Sequence, residues 1–362
     1  MKRVLCLTDA FSLGGAERQL IGLAHLLQKN GYIVDLACYI DKNFYKDIIE
    51  EYGLNCILLR PRGKLEKLLV VHHLIKSKKY DSVIAYKDGA AIIVALLKMF
   101  GLKSQVIVSE RNTTQALTIK TKCKFWLYRF VDRIVPNSHS QYEFIKTRYP
   151  QYTNKLFTIT NFTDIRTFCP ADIAKVNNKF VNIIIAGRIA QQKNIIRFLN
   201  VVKRLKDTNI HVHFKWFGNV SANAEKYESV VLSKHKSMKL EDIIEFLPAT
   251  NNIKEEYQKC DAFCLPSLYE GYPNVVCEAM SCGKPILCSN VCDNSYIINA
   301  ECGFMFDPKD EQDMFKTISK FCTLSKEHKR SMGIASRRIA ERTFSEDVFV
   351  QKYIKLIECN EK

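Results

Sequence analysis

No stretch of this chain approaches the roughly 18 consecutive apolar residues of a membrane-spanning helix, so no spanning segment is expected. A secretory leader is not expected either. Met1–Leu7 has two basic residues but only a four-residue apolar run before Thr8 and Asp9. C-x-x-C pairs are missing although there are 14 cysteines, which speaks for reduced core thiols in a cytosolic protein and against a disulfide framework. The absence of any G-x-G-x-x-G leaves little support for a nicotinamide-type dinucleotide site. Acidic charge is scarce, and the deficit is uneven. Residues 1–170 carry 26 Lys/Arg against 14 Asp/Glu, and residues 171–362 carry 28 against 24, out of a net charge of +16. A basic first half points to an anionic partner such as a phospholipid surface, nucleic acid or a phosphorylated acceptor.

What is present is a repeated alternation of short apolar runs with amphipathic stretches. That is the pattern of parallel sheets covered by helices, and 362 residues with 47% apolar content suffice for two such domains. Strands are expected at Arg3–Leu7, Ile33–Cys38, Cys56–Leu59, Ser82–Ala85, Gln105–Ser109, Arg133–Asn137 and Leu156–Ile159, and again from Phe180–Ala186 onward. A linker is expected from about Asn161 to Lys179, where Pro170 and a polar run interrupt the pattern.

The richest stretch is Cys260–Asn290. An apolar run ends at Pro266, and a loop with Glu270, Gly271 and Pro273 follows. A helix starts near Pro273, where a missing N–H costs nothing, and ends at Gly283 before a second strand at Ile286–Cys288. A helix N-terminus at the end of a parallel strand attracts phosphate through free N–H groups and the helix dipole. Two carboxylates, Glu270 and Glu278, frame it. Read from the residues alone, they could hold sugar and ribose hydroxyls or could simply be a loop carboxylate and a solvated helix residue.

The pattern E-G-Y-P-N-V-V-C-E-A-M-S-C-G-K-P resembles the E-x7-E signature of the family 4 retaining glycosyltransferases. The resemblance implies an α/β GT-B fold, in which two Rossmann-like domains present parallel sheets across a cleft. It places an acceptor domain at about 1–165, joined by a C-terminal helix at 345–362, and a nucleotide-sugar domain at about 176–344. Other segments fit the same family in order. L-G-G-A-E-R-Q-L resembles its first loop, putting Gly14 and Gly15 beside the donor diphosphate and acceptor, although Gly-Gly alone also suits a tight turn. Ser109-Glu-Arg-Asn112 resembles a loop of bacterial polysaccharide members. No histidine stands there, so Glu110, Arg111 and Asn112 are its candidate substitutes, unless Glu110 and Arg111 merely pair with each other. G-R-I-A-Q-Q-K-N resembles the family's G-R-x-x-x-x-K-G, assigning Arg188 and Lys193 to the donor phosphates, with Asn194 in place of glycine. In isolation they could be a solvated pair. Pro248 heads the loop against which family members lay the base.

The resemblance implies transfer of a hexose or N-acetylhexosamine from a nucleotide-diphosphate sugar, UDP-linked or GDP-linked, to a hydroxyl of a glycan or polyprenyl-diphosphate-linked acceptor. It implies no metal and no cofactor beyond that co-substrate. Catalysis would fall to Glu270, Arg188, Lys193 and Glu110. Donor and acceptor contacts would fall to Gly14, Gly15, Arg111, Asn112, Pro248, Gly271, Tyr272, Pro273, Asn274, Val275 and Glu278. A nucleotide-sugar 2-epimerase of the same fold is the rival enzyme. A non-catalytic basic binder of membranes or nucleic acid is the rival from another class. The basic, aromatic stretch Thr118–Arg133 could lie in an anionic membrane interface or pack as an ordinary helix. Nucleic acid is not expected, because no recognition motif accompanies it. The expected location is the cytoplasmic face of the membrane. His211 and His213 share a strand face, but no third ligand is near in sequence, so no metal site is expected there.

Overall fold

The computed structural model describes every residue except 13, 112–113, 115–117, 172–178, 221–223 and 360–362. It divides into two compact units, Met1–Phe162 with Glu346–Lys362, and Thr163–Ser345. In the first unit a six-stranded parallel sheet is built from β1 (Arg3–Thr8), β2 (Ile33–Cys38), β3 (Asn55–Leu58), β4 (Ser82–Tyr86), β5 (Gln105–Glu110) and β6 (Arg133–Pro136), in the order β3-β2-β1-β4-β5-β6. In the second, β7 (Val181–Ala186), β8 (Val212–Phe217), β9 (Ile244–Leu247), β10 (Ala262–Leu265), β11 (Ile286–Ser289) and β12 (Gly303–Phe306) take the order β12-β11-β10-β7-β8-β9. Both orders reverse beside the first strand of their unit, and such switch points put ligand sites at the carboxyl ends of the strands.

Both faces of each sheet are buried, which is why the strands read as continuous apolar runs rather than alternating ones. Along β1, Val4 and Cys6 join the core under the helices Gly15–Lys29 and Glu346–Glu358, while Leu5 and Leu7 join the opposite core under Lys87–Met99. Along β7, Ile184 and Ala186 face one core, and Ile183 and Ile185 the other. The C-terminal helix Glu346–Glu358 returns to the first unit, where Phe349 packs on Phe162 and the Tyr353 hydroxyl meets that of Tyr86 at 3.0 Å. No helix among the described residues is long and apolar enough to cross a membrane.

Several elements differ from the sequence expectation. Leu156–Ile159 is not a strand. It makes a single bridge to β6, because its N–H groups bond to Ile134 and Pro136 from a chain just leaving the 3₁₀ turn Pro150–Lys155. The expected linker is not slack over Thr163–Phe168. The Thr163 N–H bonds to the Phe344 carbonyl, and Arg337 holds the carbonyls of Ile165 and Phe168 at 3.0 and 2.9 Å. The expected polar run of the linker falls largely outside the described residues. The stretch Thr118–Arg133 is helical only over Ile119–Leu127, capped by the Thr118 hydroxyl. Its Phe125, Leu127 and Tyr128 point into the core, while Trp126 is half exposed and Ile119 is exposed. Its inner face packs as an ordinary helix does.

Candidate active site

In the second unit the loops after β7 and β10 are bonded side by side. The Leu268 N–H donates to the Gln192 carbonyl at 2.8 Å, and Gln192 Nε2 to the Tyr269 carbonyl at 2.8 Å. Lys193 Nζ then meets Glu270 Oε1 at 2.6 Å, with both side chains only 11–12% exposed. Local backbone chemistry sets this up. A 3₁₀ turn spans Gln191–Lys193, and Asn194 turns the chain at φ 59° and ψ 30°, a left-handed conformation that asparagine tolerates better than most residues. The Asn194 amide is anchored on the Pro308 carbonyl at 2.7 Å, and the helix Ile195–Asp207 follows. The left-handed residue separates the 3₁₀ turn from that helix.

Gly187 leaves room for Lys193. A Cβ there would stand 2.9 Å from Lys193 Cε. Gly218 is tighter, since a Cβ would stand 2.0 Å from the Gly187 carbonyl oxygen, which also accepts from Trp216 Nε1 at 2.8 Å. Backbone cannot yield as a side chain can, so Gly218→Ala must push the ends of β7 and β8 apart. The expected result is a melting temperature lowered by several degrees, from overpacking of about 1–3 kcal/mol or more. Scanning calorimetry of the purified variant checks it.

Arg188 is exposed, and no acidic side chain among the described residues pairs with it. Pro273 precedes the helix Asn274–Ser281, whose first turn carries Asn274 and Val275. First-turn N–H groups have no partner within a helix, and this end lies at the carboxyl edge of the sheet beside the Lys193–Glu270 pair. Tyr272 and Glu278 are buried, Gly271 is half-buried, and Pro248 is exposed after β9. The structure thus gathers Arg188, Lys193 and Glu270–Val275 on adjacent loops. Two features were missed by sequence reasoning. Ser267 is fully buried with a hydroxyl that has no hydrogen-bond partner among the described residues, in the loop that carries Glu270. A cavity of about 520 Å³ at the ends of β10–β12 is lined by Leu268, Asn290, Asp307 and Lys309, among others. Ser267 carried a weak signal as a polar residue between Pro266 and Leu268, whereas the cavity walls come from strands that sequence spacing does not connect.

In the first unit, Gly14 opens the helix Gly15–Lys29 from extended backbone, held through its N–H and carbonyl by the Tyr45 hydroxyl. Gly15 is exposed beside it. Glu17 is buried on that helix and bonded to Ser12 and Lys87. Glu110 and Arg111 do not pair with each other. Glu110 is buried, with Lys124 Nζ at 2.6 Å and the Tyr128 hydroxyl on its other oxygen. Lys124 also holds Asp88 at 2.9 Å, and the Asp88 side chain is 48% exposed. Burial pushes the Glu110 carboxyl above the usual range, against the pull of Lys124. Burial pulls the Lys124 amine down, but Glu110 and Asp88 more than offset this and hold it up. Arg111 lies 4.4 Å over the Tyr86 ring and donates to Asn161 and Ser109. Asn112 lies outside the described residues.

Two family models match the chain: "Glycosyltransferase Family 4" over residues 13–167 and "Glycosyl transferases group 1" over residues 171–338. An "uncharacterized glycosyltransferase" of Haemophilus influenzae is 27% identical over 323 residues, covering 85% of this chain and 86% of its own. A Campylobacter jejuni α-1,4-N-acetyl-D-galactosaminyltransferase, named for a diphospho-undecaprenol-linked acceptor, is 25% identical over 296 residues, 77% of each chain. The crystal structure of HepE from Anabaena in complex with UDP superposes with a TM-score of 0.86 at 17% identity, covering 99% of both chains. Two sheets of the same order and two models that leave few residues between them agree: the chain belongs to the family 4 glycosyltransferases and has the GT-B fold.

Proposed function

We propose that this glycosyltransferase moves a hexose or N-acetylhexosamine, with retention of configuration and without a divalent metal, from a UDP-sugar to a hydroxyl of a polyprenyl-diphosphate-linked glycan. The observation that carries the reading is the Lys193–Glu270 pair at the ends of β7 and β10, with Arg188 open beside it. A departing diphosphate needs positive charge, and preorganised donors of this kind supply several kcal/mol to a transition state. Arg188 would grip it as a fork and Lys193 as a point charge, beside the helix N-terminus at Asn274 and Val275. Glu270, released from Lys193, would accept donor-sugar hydroxyls, and Glu278 the ribose. Glu110 would act through Lys124 and Asp88, because its own oxygens are occupied.

The acceptor hydroxyl would attack the anomeric carbon on the face that the diphosphate leaves. The new C–O bond forms as the bond to the phosphate oxygen breaks, and the hydroxyl proton passes to a phosphate oxygen. UDP in HepE and the undecaprenol-linked acceptor in the C. jejuni relative's name support the donor and acceptor classes. A lipid-linked acceptor would place the enzyme at the cytoplasmic membrane surface, where the basic first half suits anionic lipid.

Incubation with a panel of UDP- and GDP-sugars and a short-chain polyprenyl-diphosphate glycan tests this. NMR should find the product's anomeric configuration equal to the donor's, at a rate unchanged by EDTA. An inverted product, an EDTA-sensitive rate, or a sugar epimer formed without acceptor would sink it.

A further inference from the structure

The first unit holds a second concave site, at the opposite end of its sheet from Glu110. It is a cavity of about 960 Å³ beside the start of edge strand β6, floored by the Leu156–Ile159 segment and roofed by the C-terminal helix. That size is ample for a small ligand. Its lining combines two chemistries. Phe157, Ile159 and Leu356 form an apolar wall, while Arg133, Lys155, Lys352 and Lys355 bring four cations. Lys352 and Lys355 stand one helical turn apart on one face of the helix, and neither has an acidic partner among the described residues.

The acid at the rim, Asp132, is already engaged, taking Lys98 Nζ at 2.8 Å and the Val106 N–H at 2.7 Å. Arg133 donates to the carbonyls of Asp132 and Cys359, both at 3.0 Å, and its guanidinium lies 5.7 Å over Phe157. Its Nε–H is buried with no partner among the described residues. An unmet buried donor is costly, so a ligand acceptor there is favoured. Burial pushes Lys155 at the same cavity down to about 8, against the pull of Asp132, and burial also lowers Lys352.

We propose that this cavity binds a phosphate-bearing amphiphile, its phosphate met by Arg133, Lys352 and Lys355 and its apolar part laid on Phe157, Ile159 and Leu356. The phosphate accounts for cations with no acidic partner among the described residues, and the exposed phenyl ring and aliphatic wall account for the tail. This site shares no residue with the one proposed for glycosyl transfer, and its test does not read that activity.

The probe is lysophosphatidylglycerol below its micelle concentration, titrated calorimetrically into the full chain, with inorganic phosphate and lysophosphatidylcholine as separate arms. Lysophosphatidylglycerol should bind at least tenfold more tightly than either comparison. Lys352→Glu/Lys355→Glu should weaken it at least tenfold, and Phe157→Ala should weaken the lipid but leave phosphate unchanged. Both cations sit on an exposed helix face, and circular dichroism melts check that the variants fold. Equal affinity in wild type and the double variant, or phosphate binding as tightly as the lipid, overturns the proposal.

Discussion

Lys193→Ala is expected to lower glycosyl transfer by at least about tenfold, and Glu270→Ala by as much, with the fold persisting in both. The amine and the carboxylate meet at 2.6 Å in a largely shielded position, so each single change leaves the other charge unmet. Breaking a fully buried pair from one side costs about 3–5 kcal/mol, and the residual exposure here puts the cost at about 1–3 kcal/mol. Both single variants should therefore melt a few degrees low. The double variant separates structure from chemistry. With both charges gone, no unmet charge remains and the melting temperature should recover towards wild type. Transfer should not recover, because neither the leaving diphosphate nor the donor sugar regains its partner. The Lys193→Ala loss should fall mainly on kcat, as charge develops on the diphosphate only in the transition state. A double variant that regains near-normal turnover would show the pair to be a structural tie, and would remove Glu270 and Lys193 from the proposed machinery.

Those two residues were legible because their chemistry is written locally. The strand ends, Gly187 before the cation, Pro273 at the helix start and Gly283 at its end, with φ 70°, all lie within short windows. The parallel pairing of both sheets follows from the same alternation, since parallel strands require covered crossovers, whereas the reversal of strand order is seen only in the structure. Other features were not local. Lys124 sits in a run of lysines and aromatics that suited a membrane face. Its burial is decided by Glu110 fourteen residues earlier and Asp88 thirty-six earlier, brought together only by the β4–β5 pairing. The same pairing redirects Glu110. Its loop's resemblance to the family suggested a catalytic role, yet its oxygens are engaged by Lys124 of the Ile119–Leu127 helix and by Tyr128. The Leu156–Ile159 segment had strand composition, but an edge position beside β6 and the preceding turn left it one bridge. Asn194 was read as a substitute for glycine at a special angle, and its φ of 59° agrees.

Lys124→Met should be among the most destabilising single changes in the first unit. It removes the cation from a carboxylate that is 3% exposed and leaves Glu110 with only the Tyr128 hydroxyl. A buried charge stripped of its partner costs about 3–5 kcal/mol, and methionine fills the lysine stem's volume, so little of the loss comes from a cavity. The variant should also acquire a distinctive pH dependence. In the native protein burial already raises the Glu110 carboxyl above its ordinary value of 4.5. Without Lys124 the opposing pull is gone and the rise is larger. Between the unfolded and folded values the folded state holds the proton and the unfolded state does not, so stability falls as pH rises, by up to about 1.4 kcal/mol per pH unit. Lys124→Met should therefore be most nearly wild-type in mild acid, where Glu110 is protonated, and weakest above neutrality. Glu110→Gln in the same background should erase the slope, since an amide does not titrate. Thermal melts of wild type, the single variant and the double variant between pH 5.5 and 8 measure this. A Lys124→Met deficit that stays constant across that range would mean that removing Lys124 does not change how many protons Glu110 holds there, and would overturn the charge coupling between them.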